Sequence, residues 1–279
     1  MKIALVQQHA GLDKGANVAR GLQRFEQAAD AGAGLVCFAE LGFEPFYPQR
    51  TASGDVRAQA ETIPGPITEA FAERAKRRGV VVVLNLFERD GSRTFDSSPV
   101  IDADGRLLGV TRMLHITDYP CFHEKGYYTP GDTGMPVYDT RVGRVGVSIC
   151  YDRHYPEVMR ALALQGADLV VVPQAGAVGE WPEGLYEAEM RVAAFQNGYF
   201  VALCNRVGRE ECLEFAGESF VCAPDGTVVA RAASGRDEIL YADIDLSSCR
   251  ESHARRLFLK DRRPELYADW FGQPAGRVV

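Results

Sequence analysis

The feature that most constrains the fold is the alternation of short apolar runs with amphipathic stretches along the whole chain. Runs such as KIALVQQ, GLVCFAE and DLVVVPQ are typical of buried strands, whereas ANVARGLQRFEQAADAGA and YPEVMRALALQGA place apolar residues at helical spacing. This alternation is typical of α/β folds, in which helices cover the faces of sheets. With 279 residues, the chain is long enough to bury one large core or two small ones.

Two segments predict β-hairpins, RTFDSSPVIDADGRLLGVTRMLHI with a DADG turn and ESFVCAPDGTVVARAA with a PDG turn. Hairpins make the sheets mixed, and so many strands with several helices favour two sheets that pack together under helices. No linker or repeat divides the sequence, which predicts a single domain over residues 1–279. The tail, residues 257–279, is aromatic and charged. It is either an arm on a partner subunit or a surface wrap, and we favour the arm.

Composition excludes several classes of partner. The net charge of −7 leaves no basic excess to neutralise nucleic-acid phosphates. No apolar run approaches the roughly 20 residues of a membrane span, and MKIALVQQHAG indicates a strand because it has no signal-peptide cleavage site. The seven cysteines show neither CxxC nor His/Cys ligand spacing, so we expect reduced thiols, no metal site and a cytoplasmic protein.

Two of the predicted strands end in a reactive side chain. GLVCFAE ends at Glu40, and RVGVSIC ends at Cys150, after which YDRHYPEVMRALAL turns into a helix. Ligands of α/β folds bind outside the carboxyl ends of strands. A cysteine before a helix N-terminus is expected to have a lowered thiol pKa. A carboxyl group desolvated by the aromatic LGFEPFYPQ segment would have a raised pKa and could exchange protons with a thiol.

Each candidate also has a purely structural interpretation. Cysteine is most often a small buried hydrophobe, which is the interpretation we favour for Cys37, Cys204 and Cys222 within apolar runs. His154 raises the alternative of a Cys–His pair, but a role in bonding the turn is favoured because no protease signature accompanies it. The other histidines lack the i,i+4 spacing of metal ligands.

Four segments in order, FAELGFEPFY, HITDYPCFHEKGYYTPGD, GRVGVSICYDRHYPE and LVVVPQAG, resemble the successive motifs of the nitrilase superfamily of carbon–nitrogen hydrolases. The resemblance runs from the first strand to KDRRPELY. CYDRHYPE, NRVG and DRRPELY are most similar to the branch that contains β-ureidopropionase and other N-carbamoyl amidohydrolases. This likeness implies an α/β fold, a four-layer α-β-β-α sandwich of two mixed sheets. It further implies a homodimer or higher homo-oligomer, no cofactor, and a small amide or carbamoyl substrate.

The resemblance also implies a Glu–Lys–Cys triad. Cys150 matches the nucleophile that forms a thioester-type intermediate, and Glu40 matches the general base and acid. Glu124, in FHEKGYY, matches a second glutamate that positions substrate and triad. The backbone N–H of Tyr151 is expected in the oxyanion hole. Two further side chains are expected to bind the substrate or the oxyanion, Tyr47 and Gln174.

At the lysine position this chain departs from the family. TRMLH aligns with the lysine motif and places Met113 where the catalytic lysine belongs. Lys125 matches its own position in HEK, and strand alternation directs Arg112 to the opposite face. A thioether donates no hydrogen bond, and losing one oxyanion donor costs roughly 10²–10³ in rate. Without a cation nearby, Glu40 should be protonated more often and become a poorer base near neutral pH.

Two hypotheses therefore remain. The first is a hydrolase of non-peptide carbon–nitrogen bonds with altered chemistry, which we favour because Glu40, Glu124 and Cys150 are all retained. The second is a catalytically silent relative that binds a small amide or carbamoyl ligand. Residues 174–189 are expected to line one wall. Glu180, Trp181 and Glu183 there suggest a polar or cationic substrate end, although each can equally be solvated surface.

Overall fold

Two mixed β-sheets stack face to face in the structure, a computed structural model that describes residues 1–272. The first sheet has the strand order β17-β1-β2-β3-β5-β4, with β6 paired to β5. Strands β1, β2 and β3 are parallel and the remaining pairs are antiparallel. The strands of this sheet are β1 (Lys2–Gln7), β2 (Leu35–Phe38), β3 (Val81–Val83), β4 (Leu86–Asp90), β5 (Arg93–Ile101), β6 (Leu107–Arg112) and β17 (Glu238–Asp243).

The second sheet has the order β16-β15-β12-β11-β10-β9, in which β10, β11 and β12 are parallel. Its strands are β9 (Val137–Thr140), β10 (Gly143–Val147), β11 (Leu169–Gln174), β12 (Phe200–Asn205), β15 (Phe220–Cys222) and β16 (Val228–Arg231). Two small antiparallel ribbons lie outside the sheets, β7 (Asp118–Tyr119) with β8 (Phe122–His123) and β13 (Val207–Arg209) with β14 (Glu214–Ala216). Both predicted hairpins are confirmed, as the pairs β5–β6 and β15–β16.

Helices cover the outer face of each sheet. The helices are α1 (Lys14–Asp30), α2 (Pro66–Arg78), α3 (Pro156–Leu164), α4 (Leu185–Asn197), α5 (Ser248–Glu251) and α6 (Pro264–Phe271). Asp13 caps α1 by accepting the Ala16 N–H at 3.0 Å, which satisfies one of the free donors of the first turn. Pro66 begins α2, and Gly79 ends it in the left-handed conformation at φ 68°.

Three buried layers of side chains hold the four layers together. One lies between the sheets and includes Leu5, Val83 and Val171, another lies under α1 and α2, and the third lies under α3 and α4. Successive strand residues point to opposite faces, so each central strand supplies both an inner and an outer layer. The predicted four-layer fold of two mixed sheets is confirmed.

Two details differ from the sequence-based expectation. Strand β10 ends at Val147, three residues before Cys150, because a 3-10 helix over Cys150–His154 replaces the expected strand end. In the tail, the 257–272 part contains α6, a helix that was not predicted, and the rest of the proposed arm lies outside the described residues. Within residues 1–272, no helix has both the length and the apolar character needed to cross a membrane.

Candidate active site

Glu40 and Cys150 approach each other from different sheets. Glu40 lies two residues beyond β2 and is fully buried, and Cys150 lies three residues beyond β10 and is 6% exposed. The Glu40 carboxyl group and the Cys150 thiol are close enough for the charge of each to act on the other. Because the two sheets stack, the two strand ends that the sequence analysis identified lie next to each other.

The backbone at both strand ends is unusual. Cys150 has φ 41° and Leu41, directly after Glu40, has φ 43°, the left-handed region that favours glycine. The Leu41 N–H donates to Oδ1 of Asn85 at 2.7 Å. The Arg206 guanidinium donates to the Glu40 carbonyl at 2.8 Å and also to the Leu41 carbonyl. These buried side chains hold the conformation that directs Glu40 into the site.

Glu124 is the third predicted member of the site. It begins a 3-10 helix, Glu124–Gly126, directly after β8 and is almost completely buried. Its Oε2 accepts the Thr117 N–H at 3.2 Å, and its charge acts on both Glu40 and Cys150. The structure thus gathers Glu40, Glu124 and Cys150 around one buried point.

Burial raises the pKa of all three groups. Desolvation is the largest cause for Glu40, Glu124 and Cys150, and repulsion from neighbouring carboxylates adds to it. The expected rise for Glu40 is confirmed. The expectation that a helix N-terminus lowers the pKa of Cys150 is wrong, because burial and the carboxyl groups outweigh any helix dipole.

Asp96 is a fourth buried acid at this site, and the sequence analysis did not identify it. It lies in the middle of β5, accepts a hydrogen bond from Nδ2 of Asn85 at 2.6 Å, and is within hydrogen-bond reach of the Glu40 carboxyl group. Desolvation raises its pKa as well. The only sequence signal was one acidic residue within the predicted strand TFDSSPVI, where the burial of a side chain depends on how the strand pairs.

Met113 follows β6 and is completely buried in the layer between the sheets, the same layer that contains Cys150. Its N–H donates to the Asp96 carbonyl at 2.9 Å. Arg112 projects to the opposite side of the strand, as predicted, and pairs with Glu88 and other carboxylates. The Lys125 residue is exposed. In residues 1–272 we find no cationic side chain paired with Glu40, Asp96 or Glu124.

Gln174 ends β11, next to β10 in the second sheet. Its Nε2 donates to the Cys150 sulfur at 3.2 Å, and its Oε1 accepts from Nε of Arg153 at 2.9 Å. Because Arg153 is a donor only, this contact fixes which end of the amide faces the sulfur. The backbone N–H of Ala175 also donates to the sulfur. Neutral donors therefore face the thiol from the end of β11.

The two candidate tyrosines have different surroundings. The Tyr151 ring packs edge-on against His154 and Tyr155, beside the nucleophile in sequence. The Tyr47 hydroxyl donates to the Glu44 carboxylate at 3.3 Å, and its ring lies beside Tyr127. A role in binding substrate or the oxyanion stays a prediction for both.

The histidine side chains have partners other than Cys150. His154 contacts the Glu189 carboxylate at 2.7 Å, which supports the structural role expected for it. His115 contacts Asp152 at 2.6 Å and stacks on Tyr155. The Asp152 carboxylate also accepts the backbone N–H of His115 at 3.0 Å, which anchors the segment after Met113 to the Cys150 turn. Within residues 1–272, no group of three or more His, Cys, Asp or Glu side chains is arranged to hold a metal ion.

The role of residues 174–189 as a substrate wall stays a prediction. Glu180 accepts hydrogen bonds from the Tyr119 hydroxyl at 2.6 Å and from the Tyr186 hydroxyl, and its charge acts on Glu124. The Trp181 ring packs near Tyr119 and His154. Glu183 is exposed, as the solvated-surface alternative requires.

One disulfide corrects the expectation of reduced thiols. Cys121, in the turn between β7 and β8, is bonded to Cys212, in the loop between β13 and β14, with a Cα–Cα distance of 6.4 Å. A sequence separation of 91 residues gives no spacing signature for such a pair. The cysteines predicted to be core residues, Cys37, Cys204 and Cys222, are free and buried, which confirms that prediction.

A comparison with known proteins agrees with this geometry. The family described as Carbon-nitrogen hydrolase matches residues 2–254. The N-carbamoylputrescine amidase of Solanum lycopersicum is 34% identical over 269 residues, which cover 91% of this chain and 89% of the relative. The chain therefore belongs to the carbon–nitrogen hydrolase family of the nitrilase superfamily, as its motifs predicted.

Solved structures support the same assignment. A carbon-nitrogen hydrolase from Helicobacter pylori G27 superposes with a TM-score of 0.90 at 32% identity, over 97% of this chain and 98% of that one. A mutant of the amidase from Nesterenkonia sp. AN1 superposes with a TM-score of 0.80 at 27% identity, over 97% and 96% of the two chains. That structure shows covalent addition of the acetamide moiety of fluoroacetamide at the active site cysteine.

Proposed function

We propose that this protein hydrolyses a non-peptide carbon–nitrogen bond in a small N-carbamoyl compound or amide, through a thioester-type intermediate on Cys150. The observation that carries the proposal is the burial of the Cys150 thiol beside the Glu40 carboxyl group, where the ends of two strands from different sheets meet. A nucleophile with a proton acceptor in hydrogen-bond reach is the minimum arrangement for acyl transfer.

In each half of the proposed reaction, Glu40 takes up one proton and then gives it back. Glu40, as a carboxylate, takes the proton of the Cys150 thiol while the sulfur attacks the carbonyl carbon. Glu40 then returns the proton to the leaving nitrogen as the carbon–nitrogen bond breaks. In the second half, Glu40 takes a proton from the water that attacks the thioester. Glu40 returns that proton to the sulfur as the carbon–sulfur bond breaks, which releases the Cys150 thiol. Glu124 orients the attacked group, and the Tyr151 N–H stabilises the oxyanion.

The missing lysine changes the energetics of these steps. Met113 cannot donate to an oxyanion or pair with a thiolate. The neutral donors at the sulfur, Gln174 and the Ala175 N–H, replace a small part of that stabilisation. We therefore expect slow turnover at neutral pH, because the raised pKa of both Cys150 and Glu40 favours their protonated forms.

The substrate is proposed to carry a positive charge at its far end. Four carboxyl groups, those of Glu40, Asp96, Glu124 and Glu180, act on one another here. A cationic ligand would be attracted by this field and stabilised within it. The sequence similarity to an N-carbamoylputrescine amidase favours an N-carbamoyl amine as the first compound to assay.

A second candidate is a silent relative that binds an amide or carbamoyl ligand without turnover. The observation in its favour is the raised pKa of Cys150, which keeps the thiol protonated and weakly nucleophilic near neutral pH.

Intact-mass analysis and ammonia release separate the two candidates. The protein is incubated with N-carbamoylputrescine and with N-butylurea, which has the same chain but no amine. A hydrolase releases ammonia, and it does so faster from the charged compound. The matched controls are Cys150→Ser, which should abolish release, and Cys222→Ser, which removes a core thiol far from the proposed chemistry. Binding of either compound without release or adduct over a broad amide panel would favour the silent relative.

The assembly and location of the protein are also proposals. We propose a homodimer in which the tail packs on the partner, supported by exposed apolar side chains at Leu257, Trp270 and Phe271. Light scattering of Trp270→Glu against wild type tests this, since a charge at that interface should lower the molecular mass. We also propose a cytoplasmic location, which requires the Cys121–Cys212 bond to persist or be dispensable under reducing conditions.

A further inference from the structure

Asp96 is the buried acid at this site for which the proposed reaction has no role. Its side chain is 1% exposed, and Asn85 occupies Oδ1. Among residues 1–272, neither Oδ2 of Asp96 nor either carboxyl oxygen of Glu40 receives a hydrogen bond from an N–H or O–H group. Buried carboxyl oxygens without a donor are costly. If both groups were ionised, these buried oxygens would therefore lack hydrogen-bond partners.

A hydrogen bond between the Glu40 and Asp96 carboxyl groups can supply the partner that each lacks. They lie within hydrogen-bond reach, and two carboxylates at that separation repel strongly when both are ionised. One proton placed between them converts this repulsion into a hydrogen bond and satisfies an oxygen on each side. Glu40 is the better proton carrier, because its proton can be donated to Asp96, which Asn85 already stabilises as an acceptor.

We propose that Asp96 is a positioning residue that shares one proton with Glu40, so that Glu40 can act as a base only after that proton has left. This inference deepens the proposed function, because it concerns the general base of the same reaction. Asp96 acts through Glu40 and does not itself need to touch the substrate.

Among residues 1–272, no cationic side chain pairs with the Glu40 or Asp96 carboxyl group in place of this proton. Several ionisable groups face the pair, and they are Glu124, Cys150, Tyr128, Glu44 and Asp152. All of these are neutral or negative. Arg206 reaches the Glu40 backbone, but its guanidinium is already engaged by the carbonyls of Glu40, Leu41 and Glu44 and by the Glu210 carboxylate. Met113 adds only an apolar wall.

The proton balance gives the pH dependence. The shared proton leaves to solvent as pH rises, and Glu40 then holds a carboxylate that accepts the Cys150 thiol proton. Burial and Asp96 both raise the pKa of Glu40, so this occurs well above the ordinary carboxyl range. Replacing Asp96 by asparagine removes one negative neighbour from Glu40, whose pKa should then fall. Because ionised Glu40 takes the thiol proton as Cys150 reacts, the pH midpoint for alkylation of Cys150 should fall with it.

Alkylation of Cys150 by iodoacetamide tests this without any substrate. Peptide mass analysis follows the rate at Cys150 against pH for wild type and Asp96→Asn, a variant whose Oδ1 can still accept from Asn85. We expect the midpoint to move about one pH unit lower, which is about tenfold faster alkylation at a fixed pH below the midpoint. Asp139→Asn, at an 85% exposed side chain, is the matched control and should leave the profile unchanged. A folded Asp96→Asn variant with the wild-type midpoint would overturn the proposal.

A second measurement keeps the proposal testable if Asp96→Asn does not fold. Infrared spectroscopy of the Glu124→Gln variant at neutral pH should still show a carboxylic-acid carbonyl band, because the shared proton is unaffected by that change. Absence of such a band would contradict the proposal. The two experiments are independent of ammonia release. A shifted alkylation midpoint without hydrolysis would reject the proposed function alone, whereas hydrolysis with an unshifted midpoint would reject the role of Asp96 alone.

Discussion

Two clusters of three carboxyl groups lie on either side of the strand that ends at Arg112. The paired cluster, Glu88, Asp90 and Asp132, is bonded to the Arg112 guanidinium at distances of 2.6, 3.0 and 2.8 Å. The thiol cluster, Glu40, Asp96 and Glu124, has no cationic partner among residues 1–272.

The two clusters differ in the pKa of their carboxyl groups. In the paired cluster, hydrogen bonds from Arg112 and Arg93 lower the pKa of Asp132. In the thiol cluster, burial is the largest cause that raises the pKa of every member, and neighbouring carboxyl groups add to the rise. The same residue types thus serve as fixed anions in one place and as proton carriers in the other. What decides between them is one cation and the depth of burial.

The largest expected effect comes from removing the cation of the paired cluster. Arg112→Met should lower the free energy of unfolding by about 3–5 kcal/mol, because the nearly buried Glu88 would lose its partner. Urea denaturation measures the change. Arg93→Met is the matched control, since Arg93 is half exposed with exposed partners and should cost less than about 1 kcal/mol. Equal losses for the two variants would show that burial does not separate them.

The converse change adds a cation to the thiol cluster. Met113→Lys should fold, because both side chains are long and unbranched and the ammonium would be paired with carboxylates. It should lower the apparent pKa of Cys150 and increase amide or carbamoyl hydrolysis by at least about 10²-fold, the effect of one oxyanion donor.

Iodoacetamide titration and ammonia release measure the two effects of Met113→Lys. Leu164→Lys, at an exposed position near the end of α3, controls for the added charge. A folded Met113→Lys protein with the wild-type thiol titration would place residue 113 away from the nucleophile.

The free energy of unfolding should depend on pH with opposite signs for the two clusters. A carboxyl group with a raised pKa in the folded state contributes stability that is present below its ordinary pKa and is lost as pH rises through the raised value. The thiol cluster should therefore make the free energy of unfolding fall between about pH 5 and pH 8, by up to about 1.4 kcal/mol per pH unit for each titrating group. Asp132 acts oppositely, because stability from its lowered pKa is lost as pH falls.

Urea denaturation across this pH range tests the sign. The downward slope should be smaller in Met113→Lys, whose ammonium offsets the repulsion. A wild-type slope of zero would mean that the thiol cluster is already ionised in the folded protein.

The smallest expected effect concerns the neutral donor of the thiol cluster. Gln174→Leu removes the side-chain hydrogen bond to the Cys150 sulfur and should slow alkylation of the thiol about fivefold at fixed pH, as for a bond worth about 1 kcal/mol. Gln165→Leu, on a glutamine that bonds the Met135 carbonyl instead, is the control. A faster reaction of Gln174→Leu would show that the amide hinders access to the sulfur.

The sequence predicted those parts of the site that depend on local pattern. Glu40 and Cys150 were identifiable because each follows an apolar run, and the functional groups of α/β folds lie beyond the carboxyl ends of such strands. The opposite direction of Arg112 followed from strand alternation. Gln174 was placed in the wall, although its contact with Cys150 depends on the pairing of β10 with β11.

The features that were missed depend on long-range packing. Asp96 lies in mid-strand, where only the pairing of β5 with β4 and β6 decides which groups it meets. The Cys121–Cys212 bond joins two turns that are distant in sequence. The sign of the Cys150 pKa shift was missed because it results from burial and from acids on two other segments, which outweigh the local helix.

The left-handed backbone at Leu41 and Cys150 has a consequence for how this fold can evolve. Each such residue stores strain of order 1–3 kcal/mol, which the surrounding sheets and Arg206 must overcome. Glycine would relieve that strain at either position, and at Cys150 it would remove the reactive sulfur. The most stable sequence for this backbone is therefore not the reactive one. Selection for persistence of the fold alone would therefore be expected to replace Cys150, whereas only selection for the thiol would keep it.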